Sequence, residues 1–171
     1  MVALRPAQAK DAPVLAALSI ETWLNTYTRA GLGPKRAAYV LNEFSPRALM
    51  QAIEDEQVTV SDHNRGITGY TRAREGQIAP VGPCHGTELV TLYIRPAMQR
   101  QGIGHALLSN LVAQATRRGS PALWLTVNCR NHNARAFYKA HGFDPIGQTD
   151  FVLDGKAYPN FVLRRDLPGA G

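Results

Sequence analysis

The chain has 171 residues, of which 44% are hydrophobic and 19% are charged, and its formal net charge is +6 at pH 7. This composition excludes a disordered protein, and the length fits a single domain with one packed core. The start of the chain runs into the polar Lys10 and Asp11, which argues against a signal peptide or a membrane span and predicts a cytoplasmic protein without a membrane partner.

The first third of the chain predicts one strand followed by helices. Val2 to Arg5 can form a short strand, and Asp11 is a good N-cap for the helix that follows. Hydrophobic residues then recur at helical spacing until Gly31 ends the pattern. A second helical region covers Pro34 to Glu56 and is interrupted at Ser45-Pro46, because proline disfavours helix at the residue before it.

Three strands are predicted next, and the last of them has the clearest pattern. Val58 to Ser61 and Ile67 to Arg72 are short candidates joined by a turn-rich segment. Glu88 to Ile94 alternates its apolar side chains between two faces, as a strand does, and Pro96 ends it.

A helix and a buried strand follow. From Gly102 a helix with a wide apolar stripe runs through Ala115; the charges of Arg117 and Arg118 suit the C-terminal end of its dipole, and Gly119 suits its C-cap. Ala122 to Val127 is nearly all apolar, which is typical of a strand buried on both faces. Together with the preceding strand, these segments make a βαβ-like unit.

The remaining segments predict a short helix and a hairpin. The helix covers Ala134 to Ala140 and is closed by Gly142. The hairpin strands are Phe151 to Leu153 and Phe161 to Arg165, around the turn at Asp154-Gly155. The order of elements therefore predicts a mixed α/β fold, in which helices are inserted into a partly antiparallel sheet.

One domain is predicted over residues 1–167, because no repeat, low-complexity tract or Gly/Ser linker divides the sequence. The tail at residues 168–171 is expected to be disordered. The two cysteines, Cys84 and Cys129, lack the spacing of metal ligands, so we expect free thiols and no metal.

The positive charge could serve a nucleic acid, an anionic membrane or a polyphosphate ligand. No helix-turn-helix, zinc ligand set or RNA-binding aromatic motif is present, which disfavours a nucleic-acid partner. Gly102 and Gly104 lie where a strand ends and a helix begins, and a helix N-terminus presents unpaired N–H groups to an anion. Arg95 and Arg100 add positive charge there, which favours a pyrophosphate.

The two glycines alone do not identify a ligand, since they also fit a purely structural turn. The dinucleotide-binding fingerprint needs a third glycine three residues further on, where Leu107 stands. A P-loop would need a following Gly-Lys-Ser/Thr, which is also absent. The two common nucleotide-binding folds are therefore disfavoured.

Two motifs in succession carry a more specific resemblance. The first is Gln99-x-x-Gly102-x-Gly104, which follows the strand Leu92-Tyr93-Ile94 and a proline. The second is Asn131-x-x-Ala134-x-x-Phe137-Tyr138-x-x-x-Gly142-Phe143, which follows the apolar strand. Together they resemble the signatures of the GNAT superfamily of N-acetyltransferases over Glu88 to Phe143. The N-terminal third carries little resemblance at the level of motifs.

This resemblance implies a fold and a reaction. The fold is a mixed, mostly antiparallel sheet of six to seven strands, with a splayed central strand pair and about four flanking helices. The reaction moves the acetyl group of acetyl-CoA, the cosubstrate, to a primary amine by direct attack in a ternary complex, without a metal. The resemblance leaves two acceptor classes, a small amine and a protein N-terminus or lysine. It also leaves two assemblies, a monomer and a homodimer.

The resemblance also implies which residues hold the cofactor. Backbone groups of Leu92 and Ile94 would pair with the pantetheine arm as a pseudo-strand, and main-chain N–H groups of Gln101 to Gly104 would hold the pyrophosphate. Asn131 would hydrogen-bond the cofactor, although asparagine at a helix start is also a standard cap. The full set of expected cofactor residues is Leu92, Tyr93, Ile94, Gln99, Arg100, Gln101, Gly102, Ile103, Gly104, Asn131, Ala134, Phe137 and Tyr138.

Two side chains are candidates for catalysis. Tyr138 lies at the motif position of the family's general acid, and an unperturbed tyrosine, with a pKa of about 10, can protonate the departing CoA thiolate. A Phe-Tyr pair is otherwise more often part of a core. Glu88 aligns with a strand position that some relatives use as general base, acting directly or through water, and His85 is a rival candidate.

The acceptor side is the least determined part. Trp23 and Tyr27 lie in the helical region that the resemblance places over the acceptor cleft, so we expect them to bind substrate, although aromatics at helical spacing usually pack the core. No acidic cluster marks this region for a polycationic acceptor. The alternative function is a non-catalytic acyl-CoA-binding or sensing domain, and the presence of Tyr138 and Glu88 argues against it.

Overall fold

A computed structural model gives the structure of residues 2–169. Of the tail expected to be disordered, Pro168 and Gly169 form a turn, and residues 170 and 171 lie outside the described residues. The strands are β1 (Leu4–Pro6), β2 (Gln57–His63), β3 (Gly66–Ile78), β4 (His85–Ile94), β5 (Ala122–Asn128), β6 (Asp144–Leu153) and β7 (Lys156–Asp166). The α-helices are α1 (Ala12–Tyr27), α2 (Pro34–Glu43), α3 (Pro46–Asp55), α4 (Ile103–Arg117) and α5 (His132–Ala140).

The strands form one sheet in the order β1-β2-β3-β4-β5-β7-β6. The β4–β5 pair is parallel, whereas the β1–β2, β2–β3, β5–β7 and β6–β7 pairs are antiparallel. The predicted fold class, an α/β protein with a mixed and mostly antiparallel sheet, is confirmed.

The break at Ser45-Pro46 divides the second helical region into α2 and α3, as predicted. Both helices begin with a proline, whose missing N–H would have had no partner inside the helix. The Ser45 hydroxyl oxygen caps α3 by accepting a hydrogen bond from the Ala48 N–H at 3.2 Å. With this break, the described residues form five α-helices and two short 3-10 helices.

Three strands are substantially longer than predicted. β3 continues past Arg72 to Ile78, β6 begins at Asp144 instead of Phe151, and β7 begins at Lys156 instead of Phe161. Many of the additional residues are exposed, so their side chains do not show the alternation that marks a half-buried strand. Backbone pairing, such as that of Asp144 with Arg164 on β7, forms the strand there instead.

Two compact units make up the chain, and we describe each by itself. The first comprises residues 2–73 and 91–111, and the second comprises residues 74–90 and 112–169. The prediction of a single domain stays a prediction.

The first unit contains paired polar side chains in and beside its apolar core. Tyr70 is fully buried, its hydroxyl lies 2.5 Å from the Ser19 hydroxyl, and burial raises the pKa of Tyr70 to about 12. Arg72 binds Glu56 through two hydrogen bonds of 2.8 and 3.0 Å. The largest fully buried apolar side chains of this unit are Leu15, Val40, Leu49, Val60, Leu107 and Leu108.

Asp11 does not cap α1 in the predicted way. It holds the N-cap position, but its carboxylate makes no capping bond to the helix. Instead it accepts two hydrogen bonds from Arg5, at 2.7 and 3.1 Å, and one from the Gln8 N–H at 2.8 Å. Arg5 also binds Asp62, so one guanidinium connects β1, the start of α1 and the end of β2. Arg5 lowers the pKa of the Asp11 carboxyl below its ordinary value.

Replacing Asp11 with asparagine is expected to lower the free energy of unfolding at neutral pH by about 1–3 kcal/mol, because the buried group loses its charged hydrogen bonds to Arg5. A carboxyl whose pKa is lower in the folded state stabilises the fold above its unfolded pKa of about 4, and this contribution is lost as pH falls through the folded pKa. The free energies of unfolding of the two proteins, measured with urea, should therefore converge as pH falls towards about 2. A difference that did not change with pH would contradict this role of Asp11.

The second unit is built on β5 and β7. Their register runs from Ala122 opposite Asp166 to Asn128 opposite Asn160. β4 pairs with β5 in parallel, with Thr87 opposite Leu123 and Glu88 opposite Trp124. A buried cluster packs under these strands and consists of Ala79, Cys84, Ala122, Trp124 and Val162. Cys84 and Cys129 are free thiols, as predicted.

Candidate functional site

The glycine motif lies on a loop with two left-handed residues, directly before α4. Arg100 has a φ of 62° and Gly102 a φ of 79°. Nothing lies within 4 Å of the position that a Cβ on Gly102 would occupy, so the space over this backbone is open to a ligand. The conformation favours glycine at position 102, because L side chains rarely adopt it.

The first turn of α4 supplies donors next to this loop. The first hydrogen bond back along the helix runs from the Ala106 N–H to the Gly102 carbonyl, at 3.0 Å. The N–H groups of Ile103 and Gly104 belong to the first turn, where backbone N–H groups point out of the helix end and have no acceptor one turn earlier in the helix. These donors, together with the positive end of the helix dipole, favour an anion.

The two glutamines of the motif fold back onto the loop itself. The Gln99 side chain donates to the Ile94 carbonyl at 3.4 Å, and the Gln101 side chain donates to the Ala97 carbonyl at 3.5 Å. The Pro96–Met98 segment, directly before Gln99, forms a 3-10 helix. These side chains fix the path of the loop, and the groups that it presents for binding are mainly backbone amides.

Arg95 has a partner that the sequence analysis did not foresee. We expected its charge to serve the anion, but its guanidinium makes two hydrogen bonds to Glu21 on α1, at 2.9 and 3.1 Å. The hydrogen bonds to this carboxylate raise the pKa of Arg95 above its ordinary value. The cation that remains on the loop is Arg100, whose side chain is exposed.

The end of β4 is held closely against β3. The Arg95 N–H donates to the Thr68 carbonyl at 2.9 Å. A Cβ on Gly69 would lie 2.6 Å from the Ile94 Cδ1 atom and 2.8 Å from the Tyr93 carbonyl oxygen. Both distances are shorter than a real contact, so only glycine allows this approach. Gly69 was not among the predicted site residues, although a glycine inside a strand is itself a signal of close backbone approach.

The three residues at the end of β4 differ in their surroundings. The Tyr93 ring packs edge-on against Phe44 and Tyr70, with ring centroids 6.0 and 6.1 Å apart. The side chains of Leu92 and Ile94 are half-buried and share one face of the strand, because side chains alternate along it. Tyr93 is therefore mainly a packing residue, and its expected contact with a cofactor would be through the backbone.

The second motif starts with a capped helix. The Asn131 side-chain oxygen accepts from the Ala134 N–H at 3.2 Å and so caps α5. The Asn131 N–H donates to the Asn128 carbonyl at 2.9 Å, and the Asn128 side chain accepts from the Arg130 N–H at 2.9 Å. Asn131 therefore has the capping role that we considered for it, and its contact with a cofactor stays a prediction.

Tyr138 is fixed by aromatic packing in the second unit. Its residue is 8% exposed, and its ring centroid lies 5.4 Å from that of Phe137 and 5.5 Å from that of Phe143. The Tyr138 carbonyl accepts from the Phe143 N–H at 3.1 Å, which fixes the end of α5. Phe137 also stacks on His141, with centroids 4.2 Å apart. The ring at position 138 is therefore held in one place.

Glu88 is the fourth residue of β4 and belongs to the second unit, as Tyr138 does. Its side chain is 21% exposed, and one of its carboxylate oxygens lies 4.0 Å from Nη1 of Arg74 on β3. His85, the rival candidate for a base, is exposed at the first position of β4. Of the two groups, only Glu88 combines partial burial with a nearby charge, the surroundings that are typical of a functional carboxylate.

The aromatic residues expected on the acceptor side form a cluster in the first unit. Trp23 is 7% exposed and Tyr27 is 39% exposed, with ring centroids 5.2 Å apart. Tyr39 lies 5.6 Å from Trp23, and burial raises the pKa of Tyr39 to about 12. Trp23 is thus mainly a core residue, whereas Tyr27 is partly exposed to solvent.

The predicted site residues divide between the two units. The first holds Trp23, Tyr27 and Leu92 to Gly104, and the second holds Glu88 and the motif that contains Tyr138. Among residues 2–169, no group of three or more His, Cys, Asp or Glu side chains could hold a metal ion. Within the same range, no helix is both long and apolar enough to cross a membrane.

Comparisons with known proteins agree on a family. The sequence profile of the acetyltransferase (GNAT) family matches residues 18–143. An uncharacterised N-acetyltransferase of Mycobacterium tuberculosis is 28% identical over 159 residues, which cover 92% of this chain and 98% of the relative. The ribosomal protein bS18-alanine N-acetyltransferase of Escherichia coli is 41% identical over 56 residues, which are 33% of this chain and 38% of that enzyme.

A solved structure supports the same assignment at the level of the fold. It is the PaiA N-acetyltransferase of Thermoplasma acidophilum in complex with coenzyme A, with a TM-score of 0.78 and 20% identity, covering 97% of this chain and 99% of that one. The family profile spans well over half of the sequence. The chain therefore belongs to the GNAT family of acetyltransferases.

Proposed function

We propose that the protein transfers the acetyl group of acetyl-CoA to a primary amine by direct attack in a ternary complex. The observation that carries the proposal is the loop before α4, where the left-handed Arg100 and Gly102 lead into a helix start with open space over its backbone. Family membership supports it, and the structural relative from T. acidophilum holds coenzyme A.

The backbone amides of Gln101 to Gly104 would bind the pyrophosphate. Donors at a helix start bind phosphate oxygens without a dedicated side chain, and the side chains of Gln99 and Gln101 are turned to carbonyls of the loop. Arg100 would add a charge-assisted contact from the loop. The amides are thus the main binding groups. Gly102, which has no side chain, leaves the space through which a ligand would reach them open.

The pantetheine arm would pair with the backbone of Leu92 and Ile94. In a strand, the N–H and C=O groups of one residue point to the same edge, and those of the next residue point to the opposite edge. Because the Arg95 N–H bonds to Thr68 and the Tyr93 carbonyl lies against Gly69, both on β3, the groups of Leu92 and Ile94 point to the other edge. That edge is the one where an extended ligand can add as a further strand.

For the chemical step we assign one acid and one base. The amine nitrogen attacks the acetyl carbonyl, a C–N bond forms, the C–S bond breaks, and the thiolate leaves with the electron pair. Glu88 would accept the proton of the amine, directly or through water, and the Tyr138 hydroxyl would protonate the thiolate. A Leu92 backbone N–H would stabilise the oxyanion between these steps.

The test is a turnover assay combined with a binding measurement. The protein is incubated with acetyl-CoA and a panel of amines that includes small amines and peptides, and the release of free CoA thiol is followed. Calorimetry measures CoA binding separately. We expect both CoA binding and amine-dependent thiol release. Tight CoA binding without turnover on any amine would instead favour the non-catalytic sensing domain.

A further inference from the structure

The loop that leads into α4, residues 95–102, has no buried side chain of its own. None of residues 95–102 is buried, whereas Ile103 and Leu107 directly behind the loop are. The Gln99 and Gln101 side chains shape the loop from within, through hydrogen bonds of 3.4 and 3.5 Å, which are long for such bonds. The place of the loop within the first unit therefore depends on contacts with other elements.

Arg95, the first residue of this loop, is held from two sides. Its backbone N–H donates to the Thr68 carbonyl of β3 at 2.9 Å. Its guanidinium makes two hydrogen bonds to the Glu21 carboxylate of α1, at 2.9 and 3.1 Å. A planar guanidinium that meets a carboxylate through two bonds fixes the direction of the side chain as well as its distance. α1 and β3 together thus define where the loop begins.

The backbone of Arg95 transmits this constraint to the residues that follow. The Arg95 carbonyl accepts a hydrogen bond from the Met98 N–H at 2.8 Å, which closes the 3-10 helix. The proline at position 96 has a fixed φ, so it restricts the path further. The left-handed Arg100 and Gly102 come directly after this short helix. A displacement of the Arg95 backbone would therefore also displace the amides that lead into α4.

We propose that Glu21 and Arg95 are positioning residues for the cofactor, because their ion pair holds the loop in the arrangement that presents the amides of Gln101 to Gly104 to the pyrophosphate. This inference rests on the proposed function. A loop that already has the binding arrangement before the ligand arrives binds more tightly, because only the competent fraction of the molecules can bind. Neither side chain has to contact the cofactor for this effect.

The test is a double variant that removes the ion pair without changing the net charge. In E21A/R95M, alanine favours the helix, and methionine keeps most of the arginine stem, which lines a groove with Leu18 and Ile67. One charge of each sign is lost, so the long-range attraction of an anion stays nearly the same. Since the two side chains are 48% and 39% exposed, the pair is of modest strength. We expect the dissociation constant for CoA, measured by calorimetry, to rise about fivefold.

Kinetics separate a positioning role from general support of the fold. In E21A/R95M, KM for acetyl-CoA should rise about fivefold with kcat unchanged, whereas kcat/KM for S-acetylpantetheine, which has no pyrophosphate, should stay at the wild-type value. R95K keeps the charge but cannot form both hydrogen bonds, so it should show a smaller loss of the same kind. E75A/R118M, which removes an exposed ion pair from the second unit in the same charge-neutral way, should leave CoA affinity unchanged.

The outcomes also distinguish this inference from the proposed function. Wild-type CoA affinity in E21A/R95M, with folding established by thermal unfolding, would overturn the inference and leave acetyl transfer intact. Equal losses of kcat/KM with acetyl-CoA and with S-acetylpantetheine would overturn it too, since the ion pair would then support the unit as a whole. Wild-type protein that binds no CoA would overturn both the proposed function and the inference.

Discussion

Replacing Gly104 with glutamate is expected to weaken CoA binding about 100-fold or more, measured by calorimetry. Position 104 lies in the first turn of α4, where N–H groups have no partner in the helix and would face the pyrophosphate. The substitution adds a side chain and a negative charge at that place. Repulsion between like charges at close range, away from bulk water, is large enough for this loss.

A second glutamate on the same helix provides the control. S109E adds the same charge to α4 at an exposed position beyond the first turn, and we expect its CoA affinity to stay within about twofold of the wild type. Circular dichroism and thermal unfolding establish that both variants fold. Unchanged affinity in a folded Gly104→Glu protein would remove the assignment of the loop as a pyrophosphate site.

Replacing Tyr138 with phenylalanine is expected to lower kcat by about 100- to 1,000-fold while CoA affinity stays within about twofold. The change removes only the hydroxyl, so the ring keeps its packing against Phe137 and Phe143. Without an acid the thiolate must leave unprotonated, which affects the chemical step more than binding. Thiol release under saturating acetyl-CoA gives kcat, and calorimetry gives the affinity.

Y158F is the matched control, because Tyr158 lies on the β6–β7 hairpin beside Lys156 and belongs to neither motif. It should keep wild-type kcat. Wild-type turnover in Y138F would end the general-acid role. A parallel loss of kcat and CoA affinity would show instead that position 138 shapes the binding site.

Prediction from the sequence succeeded where local pattern and fold agree. α4 combines a wide apolar stripe with a glycine at φ 75° just after its end, Gly119, and β5 is an apolar run buried over most of its length. Prediction was less accurate where a strand forms because it pairs with another strand. The outer part of β6 forms because it pairs with β7, and a pairing between segments cannot be read from exposed side chains alone.

The same distinction applies to the candidate site. The loop from Gln99 to Gly104 is a local signal, and the structure gives it the backbone geometry that such a signal predicts. The pairing of Arg95 with Glu21 joins residues that are 74 positions apart, so no local pattern could have shown it. The catalytic roles of Tyr138 and Glu88 depend on the family resemblance and stay predictions.

The close approach at Gly69 also limits how this chain can diverge. A larger residue at position 69 would meet two obstacles, the Ile94 side chain and the Tyr93 carbonyl oxygen. A smaller residue at position 94 would remove the first obstacle, but a carbonyl is present whatever residue stands at position 93. Substitutions at other positions therefore cannot make room for a side chain at position 69. Related sequences that keep this strand arrangement should keep the glycine even where the surrounding core residues differ.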